Sequence, residues 1–185
     1  MGLPHIGIGL NTLSPGLYVV ATPIGNLDDL SKRALATLGG AAIVAAEDTR
    51  VSGKLVKLAG GSPRMVSLTE HNVQQRAPEL IESAKHSAVA LVSDAGTPVV
   101  SDPGARLVDA ALDAGVPVYT VPGPSALAAA ISLSGFTGDD VHFLGFLPRQ
   151  RGERRARLEA AASTASVLVY FESPTRLAAS LMDVA

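Results

Sequence analysis

Short apolar runs alternate with amphipathic helical patterns from Leu17 onward, and this alternation constrains the fold more than any other feature of the chain. Strands separated by helices usually pair in parallel, because the chain must cross the sheet before it adds the next strand. The runs predicted as strands are Leu17–Ala21, Ala42–Glu47, Met65–Leu68, Ala88–Asp94 and Val116–Val121. The sequence therefore predicts an α/β domain with a parallel sheet.

Two segments contain residues that are typical of helix starts and ends. In SDPGARLVDAALDAG, Asp102 can cap a helix, Pro103 suits its first position and Gly115 suits its end. The segment Ser125–Gly135 repeats this logic with small residues that could lie close to a sheet. Both segments are predicted to be helices that follow strands.

The pattern of predicted elements starts anew after Gly135. A second set of elements is predicted there: strand Val141–Phe146, helix Gly152–Ala162, strand Val167–Phe171 and a helical pattern from Thr175. Two strands and two helices do not readily bury a core of their own. We therefore predict a leader at 1–16, an N-terminal α/β domain at 17–135, and the start of a second, incomplete α/β domain at 136–185.

Composition excludes several classes of function. The 185 residues include no Cys, which excludes disulfide frameworks and Cys nucleophiles, and the four His residues are too scattered for a metal site. No Lys or Arg precedes Lys32, and no apolar run reaches the roughly 20 residues of a membrane span. The expectation is a cytoplasmic protein that binds neither metal nor membrane.

Four loops follow predicted strands and combine Gly or Pro with small polar groups. They are TPIGN (22–26), EDTR (47–50), SDAGTP (93–98) and PGPSA (122–126). Any one of them could be an ordinary strand-to-helix turn. Parallel α/β sheets bind ligands at the carboxyl ends of their strands, so four such loops together favour a ligand site.

The chemistry of these loops narrows the ligand class. Neither dinucleotide nor P-loop fingerprints follow a strand, which disfavours polyphosphate ligands. The loops offer instead the carboxylates of Glu47, Asp48 and Asp94, which suit hydroxyls, amines or a cation. S-adenosylmethionine has this character, since it carries ribose hydroxyls, an amino group and a sulfonium.

An ordered series of motifs resembles one bacterial family. The motifs are LYVVATPIGNLDDLSKRAL, AAEDTR, SLTEHN, LVSDAGTPVVSDPGARL, VPGPSAL, FLGFLPR and ESPTRL. They resemble the ribosomal RNA small subunit methyltransferase I family, of the tetrapyrrole-methylase-like class III superfamily. The resemblance implies two α/β domains with S-adenosylmethionine in the cleft between them, methylation of a cytidine ribose 2′-hydroxyl in the decoding region of 16S rRNA, a homodimer, and a longer chain.

The resemblance also implies site residues. The cofactor contacts it assigns are Pro23, Asp94, Gly96, Thr97, Ser125 and Ala126. Asp94 could instead cap a helix or orient the Thr97 loop, and Ser125 could be only a helix-start residue. The family's ESPHR is ESPTR here, with Thr175 in place of His, which removes a titratable group from that position.

Methyl transfer to a ribose hydroxyl would be assisted by a group that accepts its proton. Candidates are Glu47, Asp48, His71 and, from the second domain, Glu172. Two adjacent acids that end a buried strand are costly to place, which favours Glu47 and Asp48. The alternative for either acid is an ion pair with Arg50 or Lys54, and a lone loop His is often a bystander.

The stretch from Arg149 to Arg157 contains five of the chain's 15 basic residues and opens a helix. Cations at a helix start oppose its dipole unless an anion is bound, and RNA phosphate would be such an anion. The predicted RNA-binding residues are Arg50, Arg149, Arg151, Arg154 and Arg155. The alternative is a solvated helix face paired with Glu153 and Glu159. Phe143 and Phe146 are expected in the core rather than as base-stacking residues, because they alternate with small or apolar neighbours in a strand.

Two rival functions remain open from the residues. The first is methylation of a small tetrapyrrole-like substrate on the same fold, which the basic stretch disfavours. The second is a cofactor-binding or interaction domain that is inactive without the missing strands.

Overall fold

The structure, a computed structural model, describes residues 13–100, 104–164 and 166–184. Most of the predicted leader, up to residue 12, and the predicted helix-start residues Asp102 and Pro103 lie outside the described residues. The chain divides into two compact units, Met1–Pro124 and Ser125–Ala185.

The first unit contains a five-stranded sheet in which every pairing is parallel, and this confirms the predicted fold class. Its strands are β1 Gly16–Val20, β2 Ile43–Ala46, β3 Arg64–Ser67, β4 Ala88–Val92 and β5 Val118–Val121. Its helices are α1 Lys32–Gly40, α2 Thr49–Leu58, α3 Val73–Ala84 and α4 Ala105–Asp113, and a single 3-10 turn spans Leu27–Asp29. The sheet order is β3-β2-β4-β1-β5.

Helices cover both faces of this sheet, which explains why its central strands are continuously apolar. All five residues of β4 are buried. One core cluster includes Leu17, Leu91 and Leu107, and the cluster on the other face includes Val20 and Val44. Gly115 has φ +68° after α4, in agreement with its predicted role at the helix end.

The second unit contains a two-stranded parallel sheet of β6 Val141–Phe146 and β7 Val167–Phe171. Its helices are α5 Ala126–Ser134, α6 Arg151–Ala162 and α7 Leu177–Val184. Its buried cluster is small and consists of Leu144, Leu147, Leu158 and Ala161. The helix α5, which the sequence analysis assigned to the end of the first domain, belongs to this second unit.

Candidate functional site

The strand order brings three of the predicted loops to one edge of the first unit. Because β4 lies between β2 and β1 and all three run in parallel, the loops that leave their carboxyl ends are neighbours. These loops are EDTR, SDAGTP and TPIGN, which are far apart in sequence. The sheet topology therefore assembles the edge that the motifs predicted.

Thr22 fastens the loop after β1 to the loop after β4. Its backbone N–H donates to the carbonyl of Gly96 at 2.9 Å, and the N–H of Gly96 donates back to the carbonyl of Thr22 at 3.1 Å. The Thr22 side chain is fully buried, and its hydroxyl donates to the carbonyl of Ser93 at 3.1 Å. The Ser93 hydroxyl donates to the carbonyl of Gly96 at 3.2 Å, so the two loops have one fixed arrangement.

Gly96 and Thr97 occupy positions that side-chain size and hydrogen bonding restrict. Gly96 has φ +85°, and a Cβ there would lie 3.3 Å from Cγ2 of Ile24. The Thr97 hydroxyl donates to the carbonyl of Pro124 at 3.0 Å, which ties this loop to the one after β5. Ser125 follows Pro124 and caps α5, because its Oγ accepts from the N–H of Ala128 at 3.4 Å. Ala126 is the first residue of that helix.

Asp94 links the SDAGTP and EDTR loops. Its Oδ1 accepts a hydrogen bond from the backbone N–H of Asp48 at 3.1 Å. The residue remains exposed, so its carboxylate is accessible to a ligand at the same time. The contact orients the EDTR loop rather than the Thr97 loop, and it does not block access to the carboxylate of Asp94.

Both carboxylate oxygens of Asp48 accept hydrogen bonds from Arg50. Asp48 Oδ1 caps α2 by accepting from the N–H of Arg50 at 2.8 Å, and its two carboxylate oxygens accept from Nε and Nη2 of Arg50 at 3.0 and 2.6 Å. The hydrogen bonds from this guanidinium and from the backbone hold the pKa of Asp48 well below its usual range. A carboxylate that is so hard to protonate is a weak proton acceptor.

Glu47 has different surroundings. Its side chain is exposed and forms no ion pair within the described residues, while its backbone carbonyl accepts from the Ser67 hydroxyl at 3.4 Å. His71 is exposed in the turn after β3, the outermost strand of the sheet. The structure therefore brings Glu47, Asp48 and Asp94 together and places His71 beyond them.

A cleft of about 370 Å³ opens beside this edge. Its walls consist of Pro23, Gly25, Leu27, Val51, Lys54, Leu55, Leu58 and Asp94. Pro23 and Asp94 are sequence-predicted site residues, whereas the contribution of α2 is not predicted from the sequence. The sequence does contain a signal for it, since Val51, Leu55 and Leu58 recur at the spacing of one helix face and all three line the cleft.

The residues at this edge fit S-adenosylmethionine. The cleft has the volume of a small-molecule site and apolar walls suited to an adenine ring. The accessible carboxylate of Asp94 can accept from hydroxyl or amino groups.

Some arginines of the basic stretch in the second unit are engaged in contacts within the protein. Arg154 is 6% exposed; its guanidinium donates to Asp183 and to the carbonyls of Pro148 and Arg149. This burial corrects the prediction that Arg154 contacts RNA, because its donors are used inside the protein. Arg151 also donates to Asp183, at 2.8 Å, but its side chain is 69% exposed.

Arg149 and Arg155 are exposed and form no ion pair within the described residues. Glu172 is a poor candidate for the proton acceptor, because its side chain is only 3% exposed, accepts hydrogen bonds from Ser180 and the N–H of Ser173, and forms an ion pair with Arg176 at 3.1 Å. Burial would raise the pKa of Glu172, but these donors outweigh it and lower the pKa.

Within the part of the chain that the structure describes, no cluster of three or more His, Cys, Asp or Glu could hold a metal ion. No helix among the same residues is long and apolar enough to cross a membrane.

Comparison with known proteins identifies relatives over nearly the whole chain. A family model described as tetrapyrrole (corrin/porphyrin) methylases matches residues 16–184. Ribosomal RNA small subunit methyltransferase I of Mesorhizobium japonicum is 52% identical over 170 residues, which cover 91% of this chain and 58% of that protein. The protein of the same name from Pseudomonas aeruginosa is 46% identical, with coverage of 91% and 60%. The chain thus spans somewhat more than half the length of these relatives.

Solved structures show the same fold. Uroporphyrin III C-methyl transferase from Thermus thermophilus matches with a TM-score of 0.59 at 22% identity, over 91% of this chain and 76% of that one. Diphthine synthase matches with a TM-score of 0.60 at 20% identity, over 85% and 64%. The family resemblance inferred from the motifs is confirmed by the sequence relatives. The chain, with its parallel sheet and its loops at the carboxyl edge, belongs to the tetrapyrrole (corrin/porphyrin) methylase family.

Proposed function

We propose that this chain carries the cofactor site and part of the acceptor site of an enzyme that methylates a cytidine ribose 2′-hydroxyl in the decoding region of 16S rRNA, with S-adenosylmethionine as donor. The observation that carries the proposal is the set of hydrogen-bonded loops at the carboxyl ends of the strands in the first unit. There the TPIGN loop, Asp94 of the SDAGTP loop and helix α2 line an apolar cleft, and Asp94 accepts a hydrogen bond from the backbone of Asp48 in the EDTR loop. The names of the sequence relatives support the choice of substrate.

The cofactor, when bound, supplies an electrophilic methyl group on a sulfonium. Pro23 and Asp94 would contact it from the cleft walls, and Gly96 and Thr97 from the loop that Thr22 and Pro124 hold in place. Fixed loops reduce the cost of aligning donor and acceptor, the main requirement of an in-line displacement. Ser125 and Ala126 complete the proposed set.

Glu47 is the proposed proton acceptor for the ribose hydroxyl. It lies one residue from Asp48 at the same strand end, yet its carboxylate is exposed and free of ion pairs within the described residues. Asp48 is held by Arg50, so its proposed role is to cap α2 and to link EDTR to Asp94. His71 is the second candidate for the proton acceptor.

Arg149, Arg151 and Arg155 are the proposed phosphate contacts of the second unit, and Arg50 is that of the first. Arg50 is 89% exposed, so it can meet a phosphate while it remains beside Asp48. Each phosphate that such a cation neutralises releases counterions, so RNA binding should weaken as salt is added. A cytoplasmic location and a homodimeric assembly, supported by the family resemblance, complete the proposal.

The test is transfer of radiolabelled methyl from S-adenosylmethionine to small ribosomal subunits, compared with transfer to a tetrapyrrole substrate. The 185-residue chain is assayed beside a version extended to the length of its relatives. Label in the ribosomal RNA is expected from the extended chain. Label in the tetrapyrrole alone would contradict the proposal in favour of the small-molecule rival.

Glu47→Gln tests the proton acceptor in the same assay. An amide keeps the shape but cannot take a proton, so a fall of about 10²–10⁴ in the single-turnover rate is expected. Asp48→Asn is the matched control, because Asn also caps helices, and a much smaller change is expected. Equal rates for the two variants would remove Glu47 from this role.

A further inference from the structure

A bulge in β6 changes the direction of one aromatic side chain. Alternation in a regular strand would place Phe143 and Phe146 on opposite faces, because three residues separate them. The register between β6 and β7 shifts between these two residues, and Gly145 has φ +64°. The extra residue puts Phe146 on the same face as Phe143, and this kind of irregularity often re-aims side chains at functional sites.

Both Phe rings pack against the same residue of β7. The ring centroids of Phe143 and Phe171 are 4.9 Å apart, and those of Phe146 and Phe171 are 5.6 Å apart, both edge to face. Leu168 and Tyr170 pack against the buried cluster under α6, so by alternation Phe171 belongs to the opposite face. Phe143 and Phe171 are half-buried, but Phe146 is 56% exposed. The expectation that Phe146 lies in the core is therefore not met.

Two arginines donate hydrogen bonds to the backbone carbonyls of the loop after Phe146. Arg176 donates to the carbonyls of Leu147 and Pro148 at 3.1 and 3.0 Å. Arg154 donates to the carbonyl of Pro148 at 3.4 Å and to that of Arg149 at 3.1 Å. The charges of the two arginines are balanced by Glu172 and Asp183, whose side chains are 3% and 1% exposed. A loop held in this way is preorganised for binding.

This loop ends in Arg149, a cation without an ion pair among the residues that the structure describes. Arg149 is exposed, and three residues of chain limit its Cα to within roughly 11 Å of that of Phe146. Arg155 is also exposed, on α6. An exposed ring beside cations is the combination with which proteins bind single-stranded nucleic acids, by stacking on a base and pairing with phosphate. The positive charge and the aromatic ring favour RNA over an apolar protein partner.

We propose that Phe146 is a stacking platform for one unpaired base of the RNA and that Arg149 binds an adjacent phosphate. This inference rests on the proposed function, since it concerns the RNA on which that function acts. The residues in and around the loop then have two roles. Arg154 and Arg176 position the loop, whereas Phe146 and Arg149 contact the RNA.

The test measures the affinity of the 185-residue chain for a fluorescein-labelled single-stranded oligouridine by anisotropy. Phe146→Ala should weaken binding by about 5- to 150-fold, the range expected for the loss of one stacked base. Phe146→Tyr should retain most of the affinity, whereas Phe146→Leu should not, because Leu is apolar without an aromatic face. The matched control is Phe136→Ala, since Phe136 is 72% exposed elsewhere in the same unit and should not affect binding. Circular dichroism checks that each variant is folded.

The outcomes separate this inference from the proposed function. If the parent binds the oligouridine and Phe146→Ala or Phe146→Leu binds equally well, stacking is overturned, whatever the methyl-transfer assay shows. An equal loss in Phe136→Ala would likewise overturn it, and so would absence of binding by the parent. If only Phe146→Ala and Phe146→Leu lose affinity while ribosomal subunits accept no methyl, the stacking site stands and the proposed function fails.

Discussion

Glu47 and Asp48 are adjacent acids whose chemistry differs because their neighbours differ. Arg50 donates three hydrogen bonds to Asp48, two from its guanidinium and one from its backbone, and these lower the pKa of Asp48. Glu47 has no such partner within the described residues. At the residue scale, hydrogen bonding distinguishes two adjacent and similar side chains, because it engages both carboxylate oxygens of Asp48.

Gly96 provides a prediction at this scale. Gly96→Ala should weaken binding of S-adenosylhomocysteine, because the new Cβ would crowd Ile24 at 3.3 Å and disturb the loop that holds Asp94 and Thr97. Isothermal titration calorimetry measures the affinity. A left-handed conformation also costs a residue with a Cβ roughly 1–2 kcal/mol, so some loss of stability is expected.

Gly60→Ala is the control for that loss of stability. Gly60 has φ +70°, close to the value of Gly96, but a Cβ there would meet nothing within 4 Å. Gly60 follows α2, at the end of that helix away from the cap Asp48. The control should lose comparable stability and keep its cofactor affinity; equal affinities for the two variants would reject the role of Gly96.

At the scale of elements, α6 and α7 are joined by buried charge. Arg154 of α6 and Asp183 of α7 form an ion pair in which both side chains are almost fully buried. Removal of Arg154 leaves the buried carboxylate of Asp183 with the largely exposed Arg151 as its remaining ion-pair partner, which is destabilising. The loop after Phe146 depends on the same arginine, because Arg154 also donates to the carbonyls of Pro148 and Arg149.

Arg154→Gln should therefore lower the thermal midpoint clearly at neutral pH, whereas Arg155→Gln, at an exposed position of the same helix, should change it little. Hydrogen bonds from Arg151 and Arg154 lower the pKa of Asp183 from its usual 3.8. A lowered pKa contributes stability above pH 3.8 that is lost as the pH falls through the folded-state value.

The difference in thermal midpoint between the parent and Arg154→Gln should thus be largest above pH 3.8 and should become smaller at lower pH. Thermal melts followed by circular dichroism over this range provide the measurement. A difference that stays constant down to the acid limit would show that the pair with Asp183 does not carry the effect.

At the scale of the whole molecule, the two units have unequal cores. The first unit buries apolar residues on both faces of a five-stranded sheet, whereas the second has two strands and a cluster of four buried residues. A two-stranded sheet is marginal in water by itself. Residues 1–124 expressed alone should unfold cooperatively on heating, and residues 125–185 alone should not. A sharp melting transition of the 125–185 segment would contradict this expectation.

The sequence by itself determined the elements and their class. The apolar runs gave β6 and β7 with their observed bounds and the other strands to within about two residues, because periodicity and burial are written locally in the order of residues. Ser125 and Gly115 mark helix ends as predicted, since caps depend on one or two neighbouring residues. The family followed from motifs that the relatives share.

Only the tertiary structure decided how the candidate residues are used. The pairing of Asp48, the burial of Arg154 under Asp183 and the exposure of Phe146 all depend on atoms brought close by other elements or by a bulge in the strand. The contribution of α2 to the cleft is of the same kind. Hydrogen bonds and burial act over a few ångströms in space, and a pattern along the chain does not specify which distant residues will lie within that range.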